Sequence, residues 1–395
     1  MERVCLGMIQ IKNKSDCNGC MACYNICPTN AINMKSDIEG FWYPCVDGQK
    51  CIKCKKCIHT CPVINYSANS KFVKESCIYK KAFALKYNDE AVRSRSSSGG
   101  AFFAIAQTII SMGGYVVGAA FDECYGVRHI LVNSVGSLHE VMGSKYAQSN
   151  IGLIYKQIER LLKAGSLLLF VGTSCQVEGL KGYLKRQYEG LICVDLICMG
   201  IPSPGLWSRY LSAYFDRDNI ESINFKDKTK GWHRFCISVK SKLNHGEDFL
   251  EDGADNYYME SMFKGYSLRP SCFNCDFKNE YKMADITIAD CWGCETYLPE
   301  LDDNKGLSMV IVHSEIGMKA LEKLRKINDI EIVEFNYAEV LEHNSNYDKC
   351  AKPNRYRSIF WNVSNRISLR FAFAVMCKNP GKYLIRKLKN KLNVR

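Results

Sequence analysis

The strongest constraint on folding is a four-cysteine phrase written twice. "CNGCMACYNICP" at residues 17–28 recurs in outline as "CIKCKKCIHTCP" at residues 51–62. Both copies have the spacing C-x2-C-x2-C-x3-C-P, the bacterial dicluster run in which three close thiolates wrap one 4Fe-4S cubane and the remote fourth reaches the other. The expected ligand sets are Cys17, Cys20, Cys23 and Cys61 for one cluster, and Cys51, Cys54, Cys57 and Cys27 for its twin. Pro28 and Pro62 lack an N–H and turn the chain away after each final ligand. Zinc, the rival for C-x2-C pairs, rarely needs eight ligands in this interleaved order. Lys50, Lys53, Lys55 and Lys56 crowd the second loop. Their charge favours the reduced, more anionic cluster, so the second-loop centre is expected at the higher potential, and they offer a docking face to an acidic electron donor. Cys5, Cys45 and Cys77 match no ligand spacing and read as structural, and His59 reads as a solvent-facing filler.

The chain has 395 residues and 22 cysteines, so a small module followed by a larger domain is the expected organisation. Its first residues carry no secretory pattern, and no apolar run approaches the ~18 residues of a spanning helix. A cytoplasmic protein whose thiolates bind metal is the expectation. We read residues 1–65 as an α+β ferredoxin-like dicluster module, 66–76 as a linker, 77–345 as a larger α/β domain, and 346–395 as a basic helical tail.

In the large domain, "CIYKKAFALKY" predicts an opening strand. "SRSSSGGAFFAIAQTIISMGG" predicts a loop and a helix over about 99–111 with a serine cap in front. Hydroxyls and free N–H groups at that helix start form a cradle for phosphate, with Arg93 and Arg95 adding charge. A helix over about 150–164, the strand "SLLLFVG" and a second strand-turn-helix in "LICVDLICMGIPSPGLWSRYL" then alternate. They argue for an α/β sheet with functional loops at the strand C-termini, where Cys175 and Cys198 fall. Cys272, Cys275, Cys291 and Cys294 have the spacing C-x2-C-x15-C-x2-C, a zinc pattern. The alternative pairs Cys272 and Cys275 with Cys175 and Cys198 around a third iron-sulfur cluster. Trp232 reads as core beside a strand start, Asp195, Asp285 and Asp290 as turn caps at strand edges, and residues 314–328 as a surface helix.

The net charge of +12 is uneven, because residues 349–395 hold 13 Lys and Arg and no Asp or Glu. Bases interleaved with aromatic and aliphatic residues fit a helix on an anionic membrane surface or acidic partner, or one packed on the body with a solvated basic face. A peripheral membrane position is the corresponding variant of the cytoplasmic reading. No groove-reading motif accompanies the charge, so no nucleic acid is expected.

The separated stretches "SSSGGAFFA", "GSKYAQS", "LLLFVGTSCQVEGLKGYL", "VDLICMGIPSPGLW", "RPSCFNCDFK" and "DITIADCWG" together resemble the family of coenzyme F420 hydrogenase/dehydrogenase beta subunits, here fused to a dicluster ferredoxin module. The resemblance implies a flavin-binding large domain in which FAD lies beside a third 4Fe-4S cluster held by Cys175, Cys198, Cys272 and Cys275, and so favours the cluster over zinc. It also implies that Ser97, Ser98, Gly99, Gly100, Ser144, Lys145 and Tyr146 line the FAD. Two departures stand out. Ser174 replaces a usual proline before Cys175, and Met199 replaces a usual histidine after Cys198, which removes a proton donor and puts the family's standard substrate in doubt. The implied activity is an FAD-dependent iron-sulfur oxidoreductase, F420- or ferredoxin-linked. It would pass single electrons along its clusters to a flavin that exchanges hydride with F420 or another small organic acceptor, with a ferredoxin or similar redox protein as partner. A non-catalytic electron-transfer adaptor in a larger redox complex is the alternative.

Overall fold

A computed structural model describes residues 8–66, 79–243 and 248–377. The expected linker thus lies outside the described residues apart from Tyr66, as do Cys5, Cys77 and the chain after residue 377.

The dicluster module is a duplicated loop-helix unit joined by a hairpin of β1 (Ile32–Ser36) and β2 (Trp42–Val46), paired antiparallel. The duplication extends to the backbone. Gly19 and Met21 in the first run, and Lys53 and Lys55 in the second, all have φ between +55° and +68°. Each loop then enters a five-residue helix, Ala22–Ile26 or Lys56–Thr60, that ends at Cys27 or Cys61. Left-handed backbone costs a side-chain-bearing residue about 1–2 kcal/mol. That Met21, Lys53 and Lys55 bear it twice over in register argues that the loop conformation itself is required.

The large domain is built on β3 (Lys81–Tyr87), β4 (Tyr115–Phe121), β5 (Val127–Val132), β6 (Leu168–Thr173) and β7 (Leu191–Leu196). It continues with β8 (Ile220–Asp227), β9 (Cys236–Ser241), β10 (Phe249–Asp252), β11 (Ile286–Asp290), β12 (Ser308–Val312) and β13 (Ile330–Phe335). Eight of these form one sheet in the order β13-β3-β12-β11-β7-β6-β4-β5, and β10-β9-β8 form a smaller one. The central pairs β4–β6, β6–β7 and β7–β11 are parallel, whereas the outer pairs are antiparallel. Strands β6 and β7 are near-continuous apolar runs because helices cover both their faces, and most of their residues are buried. The fold is therefore a dicluster module on a mixed α/β domain. Its C-terminal helices, Arg357–Arg366 and Leu369–Met376, pack on the domain through Phe360, Trp361, Leu369, Ala372 and Phe373. This part of the expected basic tail is thus docked on the body.

Three local expectations change. Helix Ala101–Ser111 starts at Gly100 with φ +99°, without a serine side-chain cap. A Cβ on neighbouring Gly99 would run into the Leu85 carbonyl and the Ser308 amide, which explains the glycine pair. Asp195 is no turn cap. It is buried at 1% exposure, accepting from Ser174 Oγ at 2.5 Å and from Thr287. Asp285 accepts from the Cys193 amide at 2.8 Å and Asp290 pairs with Lys226 at 2.9 Å, so both acids tie elements together as well. Trp232 is core as expected, stacked on Trp292 at 4.9 Å between ring centroids.

Candidate electron-transfer site

Each cysteine run folds onto itself and trades its last member. The Cys20 thiol is pushed well up by burial, then by neighbouring Cys61 and Cys17, and Cys23 likewise by burial and then Cys20, Cys17 and Cys61. Cys61 is pushed up to about 11 by burial, with Cys17 and Cys57 adding to it. A second hollow is walled by Cys51, Cys54, Cys57 and Cys27. Burial opposes ionisation of Cys27, but N–H groups, led by Ala31 at 3.2 Å, outweigh it and lower the thiol. Desolvated thiols such as Cys20, Cys23 and Cys61, each pushed up by neighbouring cysteines, become stable thiolates only beside a cationic metal centre.

Two chain crossovers assemble a third group. Cys175 opens helix Ser174–Leu184 directly after β6, and Cys198 follows β7. The 3-10 turn Pro270–Asn274 brings Cys272, with Cys275 just after it. All four line one cavity with Lys278 and Lys282. Burial raises each of the four thiols, Cys272 to about 12 and Cys275 to about 11, with the other cysteines adding to the effect at Cys175, Cys272 and Cys275.

Cys291 and Cys294 do not join them. They lie buried in a separate core with Trp232, Leu298 and Leu307, the Cys291 sulfur 3.2 Å from the Tyr297 hydroxyl. A zinc site with ~2.3 Å metal–sulfur bonds holds its sulfurs about 3.8 Å apart. Among the described residues, the only groups of three or more potential ligands within 4.8 Å of one another are His233–Glu295–Asp302 and Glu339–Glu342–His343, neither containing cysteine. No three of the four converging sulfurs therefore lie within 4.8 Å of one another.

The module and this cavity meet directly. Asn18, beside Cys17, lines the third cavity. Cys175, Gly179 and Gly182 share one face of their helix at i, i+4 and i+7. A Cβ on Gly179 would sit 3.0 Å from Cys20 Sγ, and one on Gly182 would sit 2.7 Å from the Thr60 carbonyl. The two glycines let the module approach so closely that Cys20 lies one helical turn from Cys175. The replacement of proline by Ser174 has a physical reading, since its hydroxyl holds Asp195, which proline cannot do. Met199 packs among apolar side chains and supplies no proton donor.

The stretches expected around a flavin also meet. Ser144 N donates to Ser97 Oγ at 2.7 Å, and the two hydroxyls are 2.8 Å apart. Ser98 donates to the Leu307 carbonyl at 2.5 Å, and the Gly99 amide donates to Ser308 Oγ at 2.9 Å. Arg93 is held by Asp303 and Arg95 bonds the Ala91 carbonyl, so Arg93 does not stand free for phosphate. Two other cations lie beside these stretches. Lys145 Nζ meets the carbonyls of Glu140, Met142 and Gly143 and lies 5.8 Å from the centre of the Phe121 ring, and burial lowers it to about 7. Lys228 meets the carbonyls of Arg93, Ser98 and Lys305, and burial, ahead of nearby Arg93 and Lys226, lowers it to about 8. Half-buried ammonium groups whose hydrogen bonds run only to carbonyls suit an added anion. Tyr146 is half-buried and edge-on to Phe225 at 5.5 Å, and its carbonyl accepts from the Tyr258 hydroxyl at 2.7 Å. Sequence reasoning missed Lys226, Lys228, Arg269 and Cys350. Cys350 Sγ accepts the Cys275 amide at 3.2 Å.

Known proteins resemble this chain in both of its parts. Residues 165–337 match the family described as the C terminus of the coenzyme F420 hydrogenase/dehydrogenase beta subunit, and residues 16–65 match the 4Fe-4S dicluster domain. The chain is 21% identical over 328 residues to the F subunit of F(420)H(2) dehydrogenase from Methanosarcina mazei, spanning 80% of this chain and 84% of that relative. A chain from the solved F420-reducing NiFe hydrogenase complex of Methanosarcina barkeri aligns with a TM-score of 0.47 at 16% identity, covering 71% of this chain and 97% of the other. Among the described residues no helix is long and apolar enough to cross a membrane. Residues 165–337 thus carry the C-terminal domain of the coenzyme F420 hydrogenase/dehydrogenase beta-subunit family, and residues 16–65 a 4Fe-4S dicluster domain.

Proposed function

We propose that this chain is an iron-sulfur flavoprotein oxidoreductase that carries electrons between an external redox protein and F420 or a related small organic acceptor. The observation that carries the reading is the convergence of Cys175, Cys198, Cys272 and Cys275 on one cavity that the Cys17 loop also lines. In this reading Cys17, Cys20, Cys23 and Cys61 hold one 4Fe-4S cluster, Cys51, Cys54, Cys57 and Cys27 a second, and the four large-domain cysteines a third. The exposed Lys53, Lys55 and Lys56 give the second loop a positive face for an acidic donor protein. Lys145 and Lys228 would meet the diphosphate of FAD, with Ser97, Ser98, Gly99, Gly100, Ser144 and Tyr146 around them. Bound there, a flavin supplies the exchange between one-electron and two-electron chemistry. The relatives' own names point to F420 as the acceptor class. Met199 offers no proton at its own position, so a proton delivered beside Cys198 would come from another lining group such as Lys278 or Lys282, from water or from the acceptor itself.

The test is anaerobic turnover by the full chain loaded with iron, sulfide and FAD, using reduced ferredoxin as donor and F420, quinones and related acceptors in turn. Reduction of one of them is expected. A fully loaded chain that accepts electrons but passes them to no small molecule would establish the adaptor role instead.

A further inference from the structure

Arg269 is only 1% exposed, and among the described residues no carboxylate forms an ion pair with it. Its Nε donates to the Cys17 carbonyl at 2.7 Å, Nη1 to Gln148 Oε1 at 2.9 Å, and Nη2 to the Trp42 carbonyl at 2.9 Å and to Cys17 Sγ at 3.6 Å. The guanidinium is roofed by aromatic rings, 4.3 Å from Tyr43 and 5.3 Å from Phe41. Its backbone belongs to the other centre. The Arg269 amide donates to the Ile201 carbonyl at 2.9 Å, and its carbonyl accepts from the Cys272 amide at 2.9 Å. A buried guanidinium satisfied only by neutral acceptors demands negative charge close by. Two thiolate groups stand where that demand can be met: the guanidinium touches Cys17 Sγ, and its own backbone is bonded to Cys272 three residues on.

We infer that Arg269 is a positioning residue that serves as the shared counter-charge of two iron-sulfur centres, the Cys17 centre of the module and the Cys272 centre of the large domain, and sets their potentials together. The inference rests on the three-cluster reading above. Adding an electron makes a cluster more anionic, so a fixed cation stabilises the reduced form and raises the midpoint. The cluster at Cys51, Cys54, Cys57 and Cys27, whose residues Arg269 does not touch, serves as an internal reference.

The test is a potentiometric titration of the reconstituted full chain, followed by electron paramagnetic resonance after iron and acid-labile sulfide have been measured. In Arg269→Gln two of three midpoints should fall. Each fall should correspond to at least a tenfold change in the reduced-to-oxidised ratio at fixed potential, about 59 mV for a one-electron couple, while the third stays in place. Arg269→Lys should restore most of both shifts. If Arg269→Gln loses iron, Gln148→Glu decides the matter, because a carboxylate at that position neutralises Arg269 in place and should lower the same two midpoints. Unchanged midpoints at full iron, or a shift confined to one centre, overturn the inference. Wild-type protein that holds fewer than three clusters overturns instead the reading it rests on.

Discussion

Replacing Gly179 with alanine should cost the metal-loaded protein more stability than the metal-free protein. The new methyl would lie 2.9 Å from Cys20 Cβ, 3.0 Å from Cys20 Sγ and 3.2 Å from the Tyr155 hydroxyl. In a helix interior, Gly→Ala gains about 0.8–1 kcal/mol, whereas inserting a methyl into packed space costs about 1–3 kcal/mol. A free Cys20 thiol can rotate its sulfur away, which relieves that contact but not the one to Cys20 Cβ, so part of the overpacking cost remains against the helical gain. A Cys20 fixed by a cluster relieves neither contact, and the overpacking term prevails. The mutation should therefore leave stripped protein within ~1 kcal/mol of wild type and destabilise loaded protein by about 1–2 kcal/mol, which corresponds to a factor of about 5–30 in an equilibrium constant. Anaerobic chelator competition at fixed temperature reads that factor as weakened iron retention, and thermal midpoints of both forms read the difference. Gly182→Ala is the control. Its methyl meets the Thr60 backbone carbonyl at 2.7 Å, which yields in neither form, so both should lose stability. If Gly179→Ala moved loaded and stripped protein in the same direction by equal amounts, the claim that Cys20 is anchored against this helix would be wrong.

Elemental analysis of anaerobically prepared chain should give about twelve irons, three four-iron clusters, with no stoichiometric zinc; Cys272→Ser should remove about four and Cys291→Ser none. Burial holds Lys145 down at about 7, against 10.5 when free. Below pH 7 the ammonium is charged folded and unfolded alike, and between pH 7 and 10.5 the unfolded chain binds the extra proton, so unliganded stability should rise with pH across that window. An anionic ligand pulls the other way, so FAD affinity measured by flavin-fluorescence titration should be greatest below pH 7, fall as pH rises above it, and lose most of that slope in Lys145→Met; a flat wild-type profile would refute the assignment. Arg357 grips Glu39 through both carboxylate oxygens at 2.8 and 2.5 Å, with side chains only 16% and 12% exposed. Arg357→Ala should cost about 2–3 kcal/mol, below the ~3–5 of a fully buried pair, and protease nicking of residues 37–41 should show it, with Arg357→Lys recovering only part because it loses the bidentate grip.

The dicluster runs were legible because ligand spacing is a local property, and 17–28 and 51–62 needed only themselves. Strands β6 and β7 were legible for a related reason, since a strand buried on both faces must be written as an apolar run. The C-x2-C-x15-C-x2-C spacing misled because closeness in sequence is not closeness in space. Strand β11 intervenes and delivers Cys291 and Cys294 to a different core from Cys272 and Cys275. Asp195 read as a turn cap because nothing local announces that Ser174 and Thr287 will enclose it. Arg269 stood in view within "GYSLRPSC", where a lone cation in a short, otherwise uncharged run before a ligand pair was the available signal. Its partner Cys17 lies 252 positions away, beyond any local pattern. In the tail, Phe360, Trp361 and Phe373 carried the packing information and the basic residues between them obscured it.

The hairpin turn at residues 37–41 is held from three sides. Ser203 donates to the Glu39 carbonyl, a Cβ on Gly40 would fall 2.5 Å from the Gly205 Cα, and Arg357 closes over Glu39. A carrier fastened in this way has no encounter to wait for. Charge arriving at its outer lysines should cross to the other domain at a rate independent of protein concentration and indifferent to solvent viscosity, and only the arrival of the outside donor should slow as the medium thickens or salt is added.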